Sequence, residues 1–132
     1  TRVSFSPAVR KKILEHYENK DEILGYEPTG RSIEIDHRVP EIRWKESEKD
    51  LSDNPTEDEI GDRYMLLVRE HNLLKSRNCE KCKRTNKRQP FLDIDFFYVG
   101  TEDYDIRVGC VGCGWHNPKK WKENLNLRLK RK

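Results

Sequence analysis

All four cysteines of the chain fall in two CxxC pairs, Cys79-x2-Cys82 and Cys110-x2-Cys113. This spacing lets both thiolates of a pair reach one tetrahedral ion, roughly 2.3 Å from each sulfur, with the second cysteine presented by a tight turn. Gly109, Gly112 and Gly114 supply the backbone freedom that such a turn uses. The 27 residues between the pairs leave room for a β-hairpin. Nothing in the sequence indicates an oxidising compartment, which argues against disulfides, and a redox CxxC would not come as a symmetric pair. The expectation is a structural Zn²⁺ held by Cys79, Cys82, Cys110 and Cys113. Four thiolates leave no open coordination position, so that ion would not be catalytic. The staple matters because only 33% of the 132 residues are hydrophobic and 39% are charged, which makes for a thin apolar core.

The formal net charge of +3 hides a segregation. Residues 41–62 carry nine acids and three bases, residues 69–88 eight bases and two acids, and residues 119–132 seven bases and one acid. Two basic stretches flanking a candidate site suit a phosphate backbone; the plain alternative is solvated helix faces. No apolar run approaches the roughly 18 residues of a membrane span, and no signal-peptide pattern is present. A soluble, intracellular protein is expected. The chain starts with Thr rather than Met, as a domain cut from a longer polypeptide would.

Ser6-Pro7 reads as an N-cap with Pro in the first helical turn, and Val9, Ile13, Leu14 and Tyr17 give helical spacing over residues 7–18. A short strand is expected at Ile23-Leu24-Gly25. A hairpin strand follows over residues 31–36, with Ile33 and Ile35 on one face and Glu34 and Asp36 on the other. Residues 41–44 are candidates to pair beyond it. Residues 45–58 read as a polar surface loop, within which Thr56 and Glu59 resemble a capping box. Tyr64 to Val68 is an apolar strand, followed by a helix over about 70–77 that delivers the chain to Cys79. Strands are expected over 91–99 and 105–108, and a C-terminal helix over 118–129 with Trp121, Leu125 and Leu129 on one face.

Asp36-His37 at a strand end and Asn72-x-x-Lys75 on a helix form the second constellation. Phosphodiester hydrolysis needs a base, a cation on the scissile phosphate, and groups that hold the backbone. His37 suits the base, because an imidazole titrates near neutrality. Asp36 is a hard oxygen ligand for Mg²⁺ or Mn²⁺. Asn72 offers a carbonyl oxygen as a second ligand, with His71 its rival. Lys75, one turn further along the helix, would reach a phosphate. An isolated Asp-His pair is more often a surface hydrogen-bonded pair. His16 and His116 read as surface or capping residues.

The segments "IEIDHRVP", "YMLLVREHNLLKSRNCEKC" and "GCVGCGWHNPKKW" resemble the HNH, or ββα-metal, endonuclease superfamily. More narrowly, they resemble the nuclease domains of HNH-type type II and type IIS restriction endonucleases. The resemblance implies an α+β fold, with a ββα-metal core over residues 1–78 and a four-cysteine zinc ribbon with a basic C-terminal helix over 79–132, in one compact unit. It implies His37 as the general base, Asp36 and Asn72 as ligands of one catalytic Mg²⁺ or Mn²⁺, and Arg38, Lys75 and Arg77 as DNA contacts. Double-stranded DNA is the implied substrate and the bacterial or archaeal cytoplasm the implied location. Cutting both strands would need a homodimer, a second domain or sequential nicking, and sequence recognition would lie in another domain of a longer chain. The family's middle Asn is missing. Residues 61–64 read Gly-Asp-Arg-Tyr, leaving Asp62 or Arg63 as substitutes. Arg84, Asn86, Arg88 and Gln89 are further candidates to read bases, with nothing to order them. The competing expectation is a non-catalytic zinc-ribbon module that binds nucleic acid. A metal-scaffolded protein-interaction domain stands behind both.

Overall fold

Ser6 caps the first helix, α1 (Pro7–His16). Its hydroxyl accepts the Val9 N–H at 3.2 Å, and Pro7 takes a position where no backbone donor is needed. The computed structural model describes residues 5–49 and 53–131, so the middle of the acidic stretch and the last residue of the basic tail lie outside the described residues. The apolar side of α1 buries Ile13 against Ile60, Tyr64 and Leu66, with Val9, Leu14, Tyr17, Ile33 and Ile35 packed around them. Residues 23–25 are not a strand. Asp21 Oδ1 accepts the N–H groups of Ile23 (2.9 Å) and Leu24 (2.7 Å), and the Gly25 N–H donates to the Asp21 carbonyl (2.7 Å). This turn satisfies locally the groups that a strand would have paired.

The sheet is one antiparallel pair, β1 (Ile33–His37) with β2 (Tyr64–Val68). Its register sets Ile33 opposite Val68, Asp36 opposite Met65 and His37 opposite Tyr64. Every residue of β2 is buried, which explains its unbroken apolar run. Residues 41–44 do not pair. Glu41–Arg43 and Glu46–Lys49 are single 3₁₀ turns. The expected loop over 45–58 gives way at its end to α2 (Glu57–Arg63). Thr56 and Glu59 form a complete capping box there, and Glu57, Asp58 and Glu59 lie at the helix's positive end.

Helix α3 (Arg69–Thr85) follows β2 without a loop, whereas two 3₁₀ turns and α2 lie between β1 and β2. It runs well past residue 77 and carries both Cys79 and Cys82. No Gly or Pro interrupts residues 69–85. The helix stops at Asn86, whose φ is +55° and whose N–H donates to the Cys82 carbonyl at 2.7 Å. The chain divides into two compact units, Thr1–Asn72 and Leu73–Lys132.

In the second unit, residues 91–99 and 105–108 form no regular strand. Among the described residues only isolated bridges occur there, Lys87 with Asp103 and Phe91 with Ile94. Leu92 and Asp93 adopt positive φ, which breaks the extended run. Side chains take over the pairing. The buried Arg88 guanidinium donates to the carbonyls of Thr101 (2.8 Å), Val111 (2.6 Å) and Val99 (2.6 Å), and lies 4.6 Å from the Phe97 ring centroid. The indole N–H groups of Trp115 and Trp121 donate to Pro90 O (2.9 Å) and Phe96 O (2.8 Å), and both rings stand edge-on to Phe91. Arg88 is therefore a core organiser, not a base reader. Helix α4 (Pro118–Lys130) starts at an Asn117 cap and buries Trp121, as its pattern predicts, but leaves Leu129 exposed. The whole is a mixed α+β chain with one two-stranded sheet and four α-helices among the described residues.

Candidate active site and cysteine cluster

Alternation along β1 sends Ile33 and Ile35 into the core, and therefore turns Glu34 and Asp36 to the other face. Asn72, in the first turns of α3, reaches that second face. Its Nδ2 donates to Glu34 Oε1 at 2.8 Å, and Arg69 Nη1 stands 3.5 Å from Glu34 Oε2. An ionised carboxylate only accepts, so the amide nitrogen must face Glu34 and the amide oxygen is left to take another partner. Asp36 and Asn72 thus belong to one face of the β1–β2–α3 element.

By the same alternation His37, at the end of β1, falls on the Ile33/Ile35 side of the strand rather than on the Asp36 face, between three aromatic rings. Phe5 is stacked at 6.0 Å, Trp44 stands edge-on at 5.0 Å and Tyr64 is tilted at 5.4 Å. The Trp44 indole N–H donates to Val39 O at 2.8 Å, which anchors that wall. His37 Nε2 is buried. The ring can be held in one orientation by these contacts, as a proton-transfer group must be.

His71 is tied elsewhere. Its Nδ1 lies 3.0 Å from Oδ2 of Asp21, a carboxylate with no solvent exposure that also accepts the Val68 N–H at 2.7 Å. Asp21 thereby joins the turn after α1 to the end of β2 and the start of α3.

Arg38 and Lys75, expected at DNA, are 5% and 2% exposed. Arg38 forms a bidentate pair with Glu22 (Nη1–Oε2 2.7 Å, Nη2–Oε1 2.8 Å) and donates from Nη2 to the Tyr17 hydroxyl (3.1 Å). Its Nε donates to Gly61 O (2.8 Å) and its backbone N–H to Arg63 O (2.9 Å). These bonds turn the guanidinium inward and lock the end of β1 to the end of α2. Arg77, by contrast, is exposed, as are Lys81 and Arg84 at i+4 and i+7 on the same helix.

In the second unit, the Cys110–Cys113 turn is built around two glycines. Gly112, at φ +100°, has no room for a side chain: a Cβ there would lie 2.2 Å from the Val99 carbonyl oxygen. A Cβ on Gly114 would strike the Phe91 ring at 2.3 Å. Burial pushes the Cys113 thiol up from its ordinary value, while backbone N–H groups of Trp115 and His116 directed at its sulfur and the Arg88 charge act the other way; Cys82 is near enough to raise it further. Cys82 and Cys113 are thus brought into electrostatic reach of each other. Among the described residues, no group of three or more His, Cys, Asp or Glu side chains is arranged as a metal site.

A family model described as ICEA Protein matches residues 1–132. The chain belongs to the ICEA protein family. This ICEA-family chain is also similar to the type II restriction enzyme NlaIII of Neisseria lactamica, with 28% identity over 132 residues. The match covers 95% of this chain and 55% of that enzyme, so the chain spans about half the length of its curated relative. No solved structure matches. No described helix is long and apolar enough to cross a membrane.

Several residues that surround Asp36, His37 and Asn72 escaped the sequence. Glu34 reads as the polar half of a strand alternation and Trp44 as part of a segment expected to pair, while Asp21 and Phe5 carry no signal of their own. Only Glu34 left a usable signal, since it shares Asp36's strand face.

Proposed function

We propose that this ICEA-family chain carries an HNH-type, metal-dependent endonuclease site that hydrolyses phosphodiester bonds of duplex DNA. The observation that carries the proposal is the Asn72 amide, anchored on the Asp36 face of a strand that ends in His37. Kinship with a type II restriction enzyme supports it. The donor set fits a hard divalent cation: Asp36 offers a carboxylate oxygen and Asn72 an amide oxygen left over by its bond to Glu34. Bound there, Mg²⁺ or Mn²⁺ would supply positive charge to the scissile phosphate and the leaving oxygen. His37, clasped by Phe5, Trp44 and Tyr64, takes the proton from the attacking water. Arg38 acts indirectly. By tying the end of β1 to Gly61 and Arg63, it does the steadying expected of the missing middle Asn, which Asp62 or Arg63 side chains were expected to do. Phosphate contacts fall to the exposed stripe of Arg77, Lys81 and Arg84 rather than to Arg38 or Lys75.

Cys79, Cys82, Cys110 and Cys113 would hold a structural Zn²⁺. The glycine-built turn that presents Cys113 and its nearness to Cys82 suit a shared ion, whose positive charge would offset the burial that otherwise favours the Cys113 thiol. Such an ion would supply stability that the thin core of the second unit lacks. The bacterial cytoplasm is the compartment that suits this activity. Sequence recognition belongs to a part of a longer enzyme, or to a partner copy.

Relaxation of supercoiled plasmid by the purified chain with Mg²⁺ tests the proposal. The unaltered chain should nick, and Asp36→Ala should not. Equal nicking by both would remove Asp36 from the site. Tight, salt-sensitive DNA binding with no nicking by the unaltered chain would favour a zinc-stapled binding module instead.

A further inference from the structure

We propose that Glu34 is the positioning residue that sets which end of the Asn72 amide faces the cation site. The inference rests on the nuclease reading above and adds to it a residue outside the Asp-His and Asn constellation. Glu34 precedes Asp36 by two residues on β1, so the two carboxylates share a face about 7 Å apart along the strand. Its Oε1 accepts the Asn72 Nδ2 hydrogen bond at 2.8 Å, while its Oε2 faces Arg69 Nη1 at 3.5 Å. The Glu34 side chain is only 20% exposed, so water competes poorly for these partners.

An Asn amide has a donor end and an acceptor end of nearly equal size, and rotation about its last bond exchanges them. The donor end repels a cation, and the acceptor end ligates it. A carboxylate beside the amide removes the choice, because it can only accept. Glu34 therefore holds Nδ2 to itself and leaves Oδ1 for the ion. Arg69, 62% exposed, stands beside the other carboxylate oxygen and limits Glu34's own appetite for the cation. Removing a group that orients a metal ligand typically costs 10–100-fold in metal affinity.

The test uses the full 132-residue chain and Mn²⁺ binding followed by electron paramagnetic resonance, which needs no turnover. Glu34→Ala should weaken Mn²⁺ binding by about tenfold or more. Glu34→Gln, whose amide can donate as well as accept and so restores the choice, should recover only a minor part of the loss. In an Asn72→Ala background, Glu34→Ala should add nothing, since its effect passes through that amide. In the metal-free chain, the Asn72 side-chain amide protons should be protected from exchange in the unaltered protein and exposed in Glu34→Ala, with thermal unfolding confirming that the variant folds. Unchanged Mn²⁺ affinity in Glu34→Ala, with Asp36→Ala and Asn72→Ala both weakened, overturns this inference alone. An undiminished Glu34→Ala loss in the Asn72→Ala background also overturns it, because Glu34 would then ligate directly. If neither Asp36→Ala nor Asn72→Ala affects Mn²⁺, the nuclease site itself is wrong and the inference falls with it.

Discussion

Single residues in this chain divide sharply by whether their partners are near in sequence. Asp36, His37 and Asn72 stand out by type and spacing, as the oxygen ligand, imidazole and amide of the proposed hydrolytic site would. Arg38 misleads, because a basic residue beside a candidate base reads as a phosphate contact until its partner, Glu22, is seen. That pair is buried, and its partner's carboxylate is 10% exposed. Arg38→Met would strand the Glu22 charge. It should destabilise the first unit by about 3–5 kcal/mol, read as a lowered urea midpoint. Tyr17 completes the cluster, donating its phenol hydrogen toward the carbonyls of Ile60 and Tyr64. Burial raises its pKa above the ordinary 10.0, outweighing the opposing effect of Arg38. An acid whose folded pKa is raised favours folding while both states are protonated. Its contribution is therefore whole below about pH 10 and is lost as pH climbs from there toward the folded value. Stability of the unaltered chain should fall above that pH, and Tyr17→Phe should flatten the fall. Tyr64, also raised by burial, leaves a residual slope.

Elements were legible where periodicity and caps agree. α1, β1, β2 and α4 follow from Ser6-Pro7, the Ile33/Ile35 alternation, an apolar run and Asn117-Pro118. α2 was masked by its acidity, although the Thr56–Glu59 box marked its start. The expected hairpin between the cysteine pairs did not form, because the pattern of Phe91–Val99 fits a strand whose carbonyls at Phe96 and Val99 instead accept from Trp121 and Arg88, with Trp115 on Pro90 just before it. These side-chain donors replace a ladder, and no local pattern encodes that exchange. The turn at Cys110–Cys113 is the most constrained part of this arrangement. Gly112→Ala would force a Cβ into the Val99 backbone at a φ that L-residues avoid. The variant should melt several degrees lower and, if the four thiols bind zinc, retain less of it per chain on elemental analysis. Unchanged melting and zinc content would show that the turn bears no such constraint.

At the scale of the molecule, the two units carry different residue types. The first supplies an acid, an imidazole and an amide on a β1–β2–α3 element, backed by Asp21 and Arg38. The second supplies exposed cations on α3 and a cysteine-bearing turn. The sequence reading placed a division after residue 78, whereas the compact units divide at Asn72, within the first turns of α3, since a continuous helix gives no boundary signal. Proton abstraction by His37 is the claim on which the rest depends. The most direct test compares His37→Ala with the unaltered chain in two assays on the same preparation, Mg²⁺-dependent plasmid nicking and Mn²⁺ binding. Nicking should fall by about 10²–10⁴-fold while Mn²⁺ affinity stays unchanged, because the imidazole moves a proton and holds no metal. Nicking at the unaltered rate by His37→Ala would contradict the account.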